Sequence, residues 1–183
     1  DLVHASYTDT AAAARKLQAA VDAFVAAPSE AGLAEARNAW LAAREWYGQT
    51  EAFRFYGGPI DGKNGPEGRI NAWPMDEAYV DSVQGRADAG IINKRSVRID
   101  ARTLSGLNEK DGEENISTGW HAIEFLLWGQ DLSADGPGKR SYTDFVDGSA
   151  PNADRRRQYL KVVTDLLVAD LDGLEKAWAP QAK

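Results

Sequence analysis

Four stretches of the chain carry apolar residues three and four positions apart, the period of a helix with one buried face. They predict long helices over residues 3–27, 30–55, 115–128 and 154–178. Pro28 ends the first stretch, Ser29 is a suitable N-cap for the second, and Asp154 is the expected N-cap of the last. No strand-like alternation or internal repeat stands out. The pattern predicts an all-α, up-down helical bundle with long irregular connections.

The connections contain some order of their own. Two shorter helices are predicted over residues 76–83 and 100–107. The segment 57–74 is dense in glycine and proline, and a connection of this length inside a domain is usually functional or disordered. Ile60, Ile70 and Trp73 give it apolar anchors. We therefore expect an ordered loop that packs over the end of the helix carrying Glu51.

Composition narrows the class of protein. The 183 residues suit a single domain spanning residues 1–183, and a net charge of −7 offers no basic surface for nucleic acid. The absence of cysteine excludes disulfides, thiolate metal sites and a cysteine nucleophile. The longest apolar run is far too short for a membrane span. Because the chain starts at Asp1 without a signal-peptide pattern, we expect a mature or trimmed form with its signal peptide removed.

The segment "GWHAIEFLLWG" raises the first question of chemistry. His121 and Glu124 are its only polar residues, and the apolar neighbours predict a helix buried on all sides. A buried carboxylate must be paired or bind a metal, and residues at i and i+3 share a helix face. The two residues are therefore either a hydrogen-bonded pair that ties the bundle together or two metal ligands.

A second carboxylate supports the metal interpretation. Glu51 continues the apolar stripe that ends at Tyr47, so it is expected to point inward from another helix. His121, Glu124 and Glu51 together form a candidate site for iron, manganese or zinc. One nitrogen and no sulfur favour iron or manganese over zinc. The alternative for Glu51 is an ion pair with Arg54, three positions further along.

Several sharper motifs are absent. A zincin needs two histidines around one glutamate, and a carboxylate di-iron bundle needs two Glu-x-x-His pairs; the chain has neither. It also has no Gly-x-Ser-x-Gly elbow and no P-loop. The other histidine, His4, is expected to be a solvated residue near the N-terminus.

The residues "GWHAIEFLLWGQD" resemble the Gly-x-His-x-x-Glu signature of the imelysin family, which includes the insulin-cleaving metallopeptidase and iron-regulated proteins of bacterial cell envelopes. The stretches "ARNAWLAAREWYGQTEAFRFYGGPIDG", "GRINAWPMDEAYVD" and "GPGKRSYTDF" are similar to the family pattern in the same order, most of all to its iron-regulated branch. Asp61, Arg54, Asn71, Trp73 and Arg140 match other characteristic positions. The resemblance covers nearly the whole chain but only the first half of a typical member, which carries a second helical bundle.

The resemblance implies a helical fold and a metal-binding protein of the periplasm or outer membrane, with a role in iron binding or uptake. The implied ligands are His121 and Glu124, with Glu51 opposite them. The implied partners are a metal ion and either a second helical bundle or iron-uptake components, with any membrane tether outside this chain. The alternative is a metallopeptidase that uses the same residues on zinc. Binding is favoured, because no general base remains once all three residues are ligands.

Overall fold

The computed structural model describes residues 2–180, so Asp1, on which the expectation of a trimmed chain rests, lies outside the described residues. The helices are α1 (Leu2–Ala26), α2 (Glu30–Thr50), α3 (Glu67–Ile70), α4 (Glu77–Val80), α5 (Gly90–Asn93), α6 (Ala101–Leu107), α7 (Gly119–Trp128) and α8 (Ala153–Trp178), with 3₁₀ turns at Glu51–Phe53 and Tyr142–Phe145. Residues 2–180 contain no strand, only an isolated bridge between Val83 and Arg86. The all-α prediction is confirmed.

The four longer helices α1, α2, α7 and α8 form the bundle. α1 packs against α2 and α8, and α7 packs against the same two helices from the other side. The apolar stripe predicted for α8 faces the core; its buried members are Leu160, Val163, Leu167, Leu171 and Leu174. None of the helices described within residues 2–180 combines the length and the apolar character that a bilayer crossing requires.

The end of α2 differs from its prediction. The helix stops at Thr50 instead of continuing to residue 55, and the chain tightens into the 3₁₀ turn before Arg54 turns extended. The helical period therefore no longer controls where the next side chains point. Glu51 leaves the inward stripe, and 45% of its side chain is exposed. The prediction that Glu51 points into the core is wrong.

Two helix starts also differ from their predictions. α7 begins at Gly119, because the preceding backbone amides of Ser117 and Thr118 donate to the Asn108 side chain instead of entering a helix. α8 has Asn152 as its N-cap, in the left-handed region at φ 55°, and Asp154 lies within its first turn. Asp154 is therefore an acid near the positive helix end and not the cap.

The loop over residues 57–74 is folded onto the bundle. Ile60 and Ile70 are buried, whereas Trp73 is 72% exposed and is not an anchor. Gly58 lies so close to the Trp178 ring of α8 that an added Cβ would come within 2.7 Å of it. Of the three expected anchors, two hold the loop in place.

A buried ion network joins the segment after α7 to α8. Asp81 is fully buried and accepts hydrogen bonds from Arg156 Nε at 2.7 Å and from Arg140 Nη1 at 3.0 Å. Burial alone would raise the pKa of Asp81, but the bond from Arg156 and the positive charges of Arg140 and Arg156 outweigh it, so the pKa lies below its ordinary value. The Arg140 amide also donates to the Trp128 carbonyl at the end of α7. The network thus fixes the position of the segment after α7, which forms one wall of a groove beside that helix.

Candidate functional site

The first turn of α7 is seated on the backbone of α3. Gly119 has φ +83°, and a Cβ there would lie 2.4 Å from the Ile70 carbonyl oxygen and 2.7 Å from that of Arg69. Only glycine accepts both this conformation and this approach without strain. Thr118 Oγ1 adds a hydrogen bond to the Arg69 carbonyl at 3.0 Å. This contact between α7 and α3 fixes which face of α7 points toward solvent.

The outward face carries the two polar residues of the helix. His121 is 27% exposed and Glu124 is 44% exposed, and Trp128 lies one turn further on the same side. The remaining residues of α7 are buried. The prediction of a helix buried on all sides is therefore wrong, because a line of residues at i, i+3 and i+7 opens onto solvent.

His121 and Glu124 contact each other directly. His121 Nδ1 lies 3.0 Å from Glu124 Oε2. In the tautomer that donates from Nδ1, Nε2 keeps its lone pair, and the carboxylate sets the orientation of the ring. This arrangement is common to plain structural pairs and to histidines that bind metals. Both alternatives drawn from the sequence therefore remain compatible with the pair.

The pair opens into a groove of about 520 Å³ between α7, the end of the loop over residues 57–74 and the segment after α7. Its walls combine aromatic rings with acidic side chains, and no lysine or arginine belongs to the lining found among residues 2–180. The aromatic and acidic members are Trp40, Trp73, Phe125, Trp128, Glu77, Glu124 and Asp131. A groove of this size with a few convergent polar groups is typical of a small-molecule or ion site.

Glu77 is the most perturbed acid of the groove. Burial raises the pKa of its carboxyl above the ordinary value, opposed by a hydrogen bond with Gln130 and by the charge of Arg140. The nearby carboxylate of Asp131 adds to the rise. No ion pair of Glu77 or Asp131 occurs among residues 2–180. The lining therefore carries acidic groups without an ion pair, and the nearest positive charge acting on Glu77 is that of Arg140, outside the lining.

Glu51 lies in a neighbouring pocket of about 500 Å³, which shares Trp73 with the groove. It accepts a hydrogen bond from Asn71 Nδ2 at 3.0 Å and lies 4.0 Å from Arg44 Nη1. The structure thus brings His121 and Glu124 together and holds Glu51 on other partners. In the part of the chain that is described, no three His, Asp or Glu side chains are grouped so that they could hold a metal ion. The three-ligand site stays a prediction.

The expected ion pair between Glu51 and Arg54 is also not formed. Arg54 Nε contacts Asp61 Oδ1 at 2.6 Å, and Nη1 contacts Glu67 Oε1 at 2.9 Å. The Phe55 amide donates to the same Asp61 carboxylate, which closes this end of the loop. Arg54 and Asp61, which match family positions, therefore act together in shaping the loop.

Sequence reasoning missed four residues of this region. Glu77 and Asp131 line the groove, and Asp81 and Arg156 form the buried network. Glu77, Asp81 and Asp131 lie in a short helix or in loops, where no long period distinguishes an inward side chain from a solvated one, whereas Arg156 lies one turn before Leu160 on the buried stripe of α8, and that period was the available signal for it. The density of aromatic residues around Trp73 and Trp128 was the available signal for a groove.

Comparisons with known proteins relate the chain to one family. The family model described as imelysin, of the peptidase M75 class, matches residues 3–183. Iron-regulated protein A of Synechococcus elongatus is 41% identical over 123 residues, which is 67% of this chain and 28% of that protein. A crystal structure described as an iron-regulated protein A precursor from Parabacteroides distasonis superposes with a TM-score of 0.66 at 25% identity, covering 96% of this chain and 41% of the other. The chain spans less than half the length of either protein.

Proposed function

This chain belongs to the imelysin family, and we propose that it is an iron-binding protein of the bacterial cell envelope whose metal site is built on His121 and Glu124. The observation that carries the proposal is the His121–Glu124 pair, which is half-exposed and opens into a groove instead of being sealed in the core. A histidine oriented by a carboxylate is the usual form of a histidine ligand. The relatives named iron-regulated protein A support iron as the metal.

The donor set fits a hard or borderline metal ion. His121 offers Nε2 to a metal while Glu124 orients the ring through Nδ1; because Nε2 points away from that carboxylate, Glu124 can ligate the same ion only by giving up its bond with His121. Imidazole together with carboxylate suits iron, with zinc as the second choice. Bound there, iron would supply a positive charge that the acidic groove otherwise lacks. His121 and Glu124 on successive turns of one helix would hold it from a single side.

We include Glu51 in the proposed site as a third ligand. To reach the pair it would have to exchange its hydrogen bond with Asn71 for the metal. Because Glu51 lies in a 3₁₀ turn with 45% of its side chain exposed, such an exchange costs less than moving a buried helical residue. Glu51 is therefore the ligand whose contribution is tested separately below.

Localisation and partners belong to the same proposal. We place the protein in the periplasm or at the outer membrane, with a second helical bundle or iron-uptake components as partners. Phe55 and Trp73 are exposed aromatic side chains that line the pocket of Glu51, and exposed apolar surface of this kind is typical of a contact surface. The isolated chain is expected to associate at high concentration, and a strictly monomeric chain by light scattering would count against this part.

A zinc metallopeptidase is the second candidate, and one observation favours testing it. Glu77 lies in the same groove as His121 and has a carboxyl pKa raised by burial, which brings a carboxylate closer to the range of a general base. In that role it would take a proton from a water molecule. Cleavage of a peptide mixture by the zinc-loaded protein, lost in Glu77→Gln, would support this activity. Absence of cleavage leaves binding as the function.

The decisive experiment measures metal binding by calorimetry and thermal unfolding, with anaerobic Fe(II) and Zn(II) in parallel. A metal at about one hundred times its Kd stabilises the folded state by about 2.7 kcal/mol, a rise in Tm of roughly 5–10 °C for a domain of this size. His121→Ala and Glu124→Gln should abolish the rise, and Glu51→Gln should reduce it. Binding should weaken as pH falls, because protons compete for the ligands.

His4→Ala is the matched control, because it removes the only other histidine of the sequence, far along the chain from the groove. It should leave both the heat of binding and the rise in Tm unchanged. Heats that are identical for the unaltered protein and His121→Ala would show that there is no metal site at this pair.

A further inference from the structure

The groove contains two acidic side chains, Glu77 and Asp131, that form no ion pair with another side chain among residues 2–180. Asp131 is exposed and accepts a hydrogen bond from the Ser133 amide, whereas Glu77 is partly buried, with a hydrogen bond to Gln130 and with Arg140 near enough for its charge to act on the carboxyl. Burial still disfavours the charged form of Glu77. A positively charged ligand would remove that cost.

The aromatic walls of the same groove have the geometry of a cation acceptor. Trp40 and Trp128 meet edge to face, with ring centroids 5.4 Å apart. Trp128 already holds the Arg37 guanidinium on one side, 5.6 Å from its centroid. Phe125 holds Arg140 in the same way at 5.4 Å. Trp73 stands on the rim, largely exposed and without such a partner in the described part of the chain.

We propose that this groove binds a small organic cation of the alkylammonium or quaternary ammonium class, against the ring of Trp73 and the carboxylates of Glu77 and Asp131. Ring faces attract cations through their quadrupole, and carboxylates attract the same charge directly. A methylated ammonium carries its charge on an apolar surface, so it leaves water easily and matches tryptophan walls. A groove of about 520 Å³ suits a free small molecule.

This inference does not depend on the proposed metal site. Trp73, Glu77 and Asp131 are not among the proposed metal ligands, so the test is made on protein treated with a chelator. Loss of metal binding in His121→Ala and loss of cation binding in a Trp73 or Glu77 variant are then separate results, and either proposal can fail without the other.

The test compares choline with its uncharged isostere 3,3-dimethyl-1-butanol by calorimetry and tryptophan fluorescence. Because the two probes have nearly the same shape, any difference between them reports charge. Choline should bind saturably, and at least about fivefold more tightly than the isostere. A lysine tripeptide with blocked ends serves as a third probe and should bind more weakly than choline, because the groove is proposed to take a free small cation.

Variants locate the site. Trp73→Ala should weaken choline binding about two- to fivefold, and Glu77→Gln about threefold or more. Tyr56→Ala and Glu45→Gln are the matched controls, because they remove an exposed aromatic ring and an exposed acid outside the groove lining. Both controls should bind choline like the unaltered protein.

Three results would overturn the proposal. Equal affinity for choline and the isostere would show that charge plays no part. Choline that fails to saturate at about 10 mM would show that there is no useful site. A lysine tripeptide that binds more tightly than choline would show that the groove takes the basic side chain of a peptide instead.

Discussion

The Asp81 network and the groove lie on either side of Arg140, and they treat negative charge in opposite ways. Asp81 is fully buried and is held by two guanidinium groups. Glu77 is partly buried and Asp131 is exposed; neither forms an ion pair among residues 2–180, although the charge of Arg140 acts on Glu77. Both regions contain carboxylates next to aromatic rings. The difference shows that a buried charge whose ion pairs are complete holds the fold together. A more exposed charge without an ion pair can still bind a ligand.

The largest expected effect breaks the buried side of this comparison. Among residues 2–180, Asp81 is the one carboxylate that both Arg140 and Arg156 contact, so Asp81→Asn leaves buried Arg156 without an ion pair and Arg140 with Asp144 alone, at 3.4 Å. The free energy of unfolding should fall by about 3–5 kcal/mol, with Tm lower by roughly 10 °C. Urea unfolding followed by circular dichroism measures this.

Asp131→Asn is the matched control, since it makes the same change on a carboxylate that has no ion pair in the described part of the chain. It should alter the free energy of unfolding by no more than about 0.5 kcal/mol. Equal losses in the two variants would contradict the distinction between structural and available charge.

The next effect tests the contact between Gly119 of α7 and the backbone of α3, which turns His121 and Glu124 outward. Gly119→Ala forces a side chain into a left-handed backbone and against the Ile70 carbonyl, so unfolding should become easier by about 2 kcal/mol or more. Gly48→Ala is the control, because a Cβ there meets nothing within 4 Å. It should stabilise the protein by about 0.5–1 kcal/mol, as alanine does in a helix. If Gly119→Ala does not lower the free energy of unfolding, α3 must be able to move away from α7.

A smaller effect separates the two interpretations of the pair. Without metal, His121→Ala and Glu124→Gln should each change the free energy of unfolding by less than about 1 kcal/mol, because half-exposed pairs contribute little. Thermal unfolding in the presence of a chelator measures it. A loss above about 2 kcal/mol would instead assign the pair to holding the bundle together.

The smallest expected effect concerns the dependence of the free energy of unfolding on pH, to which Asp81 and Glu77 should contribute with opposite signs. The pKa of Asp81 is lowered by folding, so its contribution is present above its ordinary value of 3.8 and is lost as pH falls below it. The pKa of Glu77 is raised by burial above 4.5, so its contribution is present at low pH and is lost as pH rises through the raised value. The difference in the free energy of unfolding between the unaltered protein and Glu77→Gln, measured from about pH 3 to pH 7, should therefore fall as pH rises.

Helix periodicity located the long elements because each of them buries one continuous apolar face. The helices predicted over residues 3–27 and 154–178 agree with α1 and α8, respectively, to within one residue at each end. Glycine and proline marked the connections, and the short helices predicted over 76–83 and 100–107 correspond to α4, which already ends at Val80, and to α6, each capped by the aspartate before it. These are local properties, set by hydrogen bonds and spacing within a few residues.

His121 and Glu124 were located as the only polar residues of the apolar segment "GWHAIEFLLWG", and the i, i+3 spacing predicted that they meet. The structure places them in contact at 3.0 Å. Their exposure was not predictable, because it depends on how Gly119 sits on the backbone of α3, some fifty positions earlier in the chain.

What the sequence determined by itself is therefore the class of fold, the extents of α1 and α8 and the pairing of two residues on one helix. Only the tertiary structure decided the rest: that Glu51 turns toward Asn71 after α2 tightens, that Asp81 meets Arg140 and Arg156, and that Glu77 faces the groove. The physical reason is the range of the interactions. A helical period carries a side chain's direction only while the helix continues, whereas a charge in a loop finds its partner through the packing of distant segments.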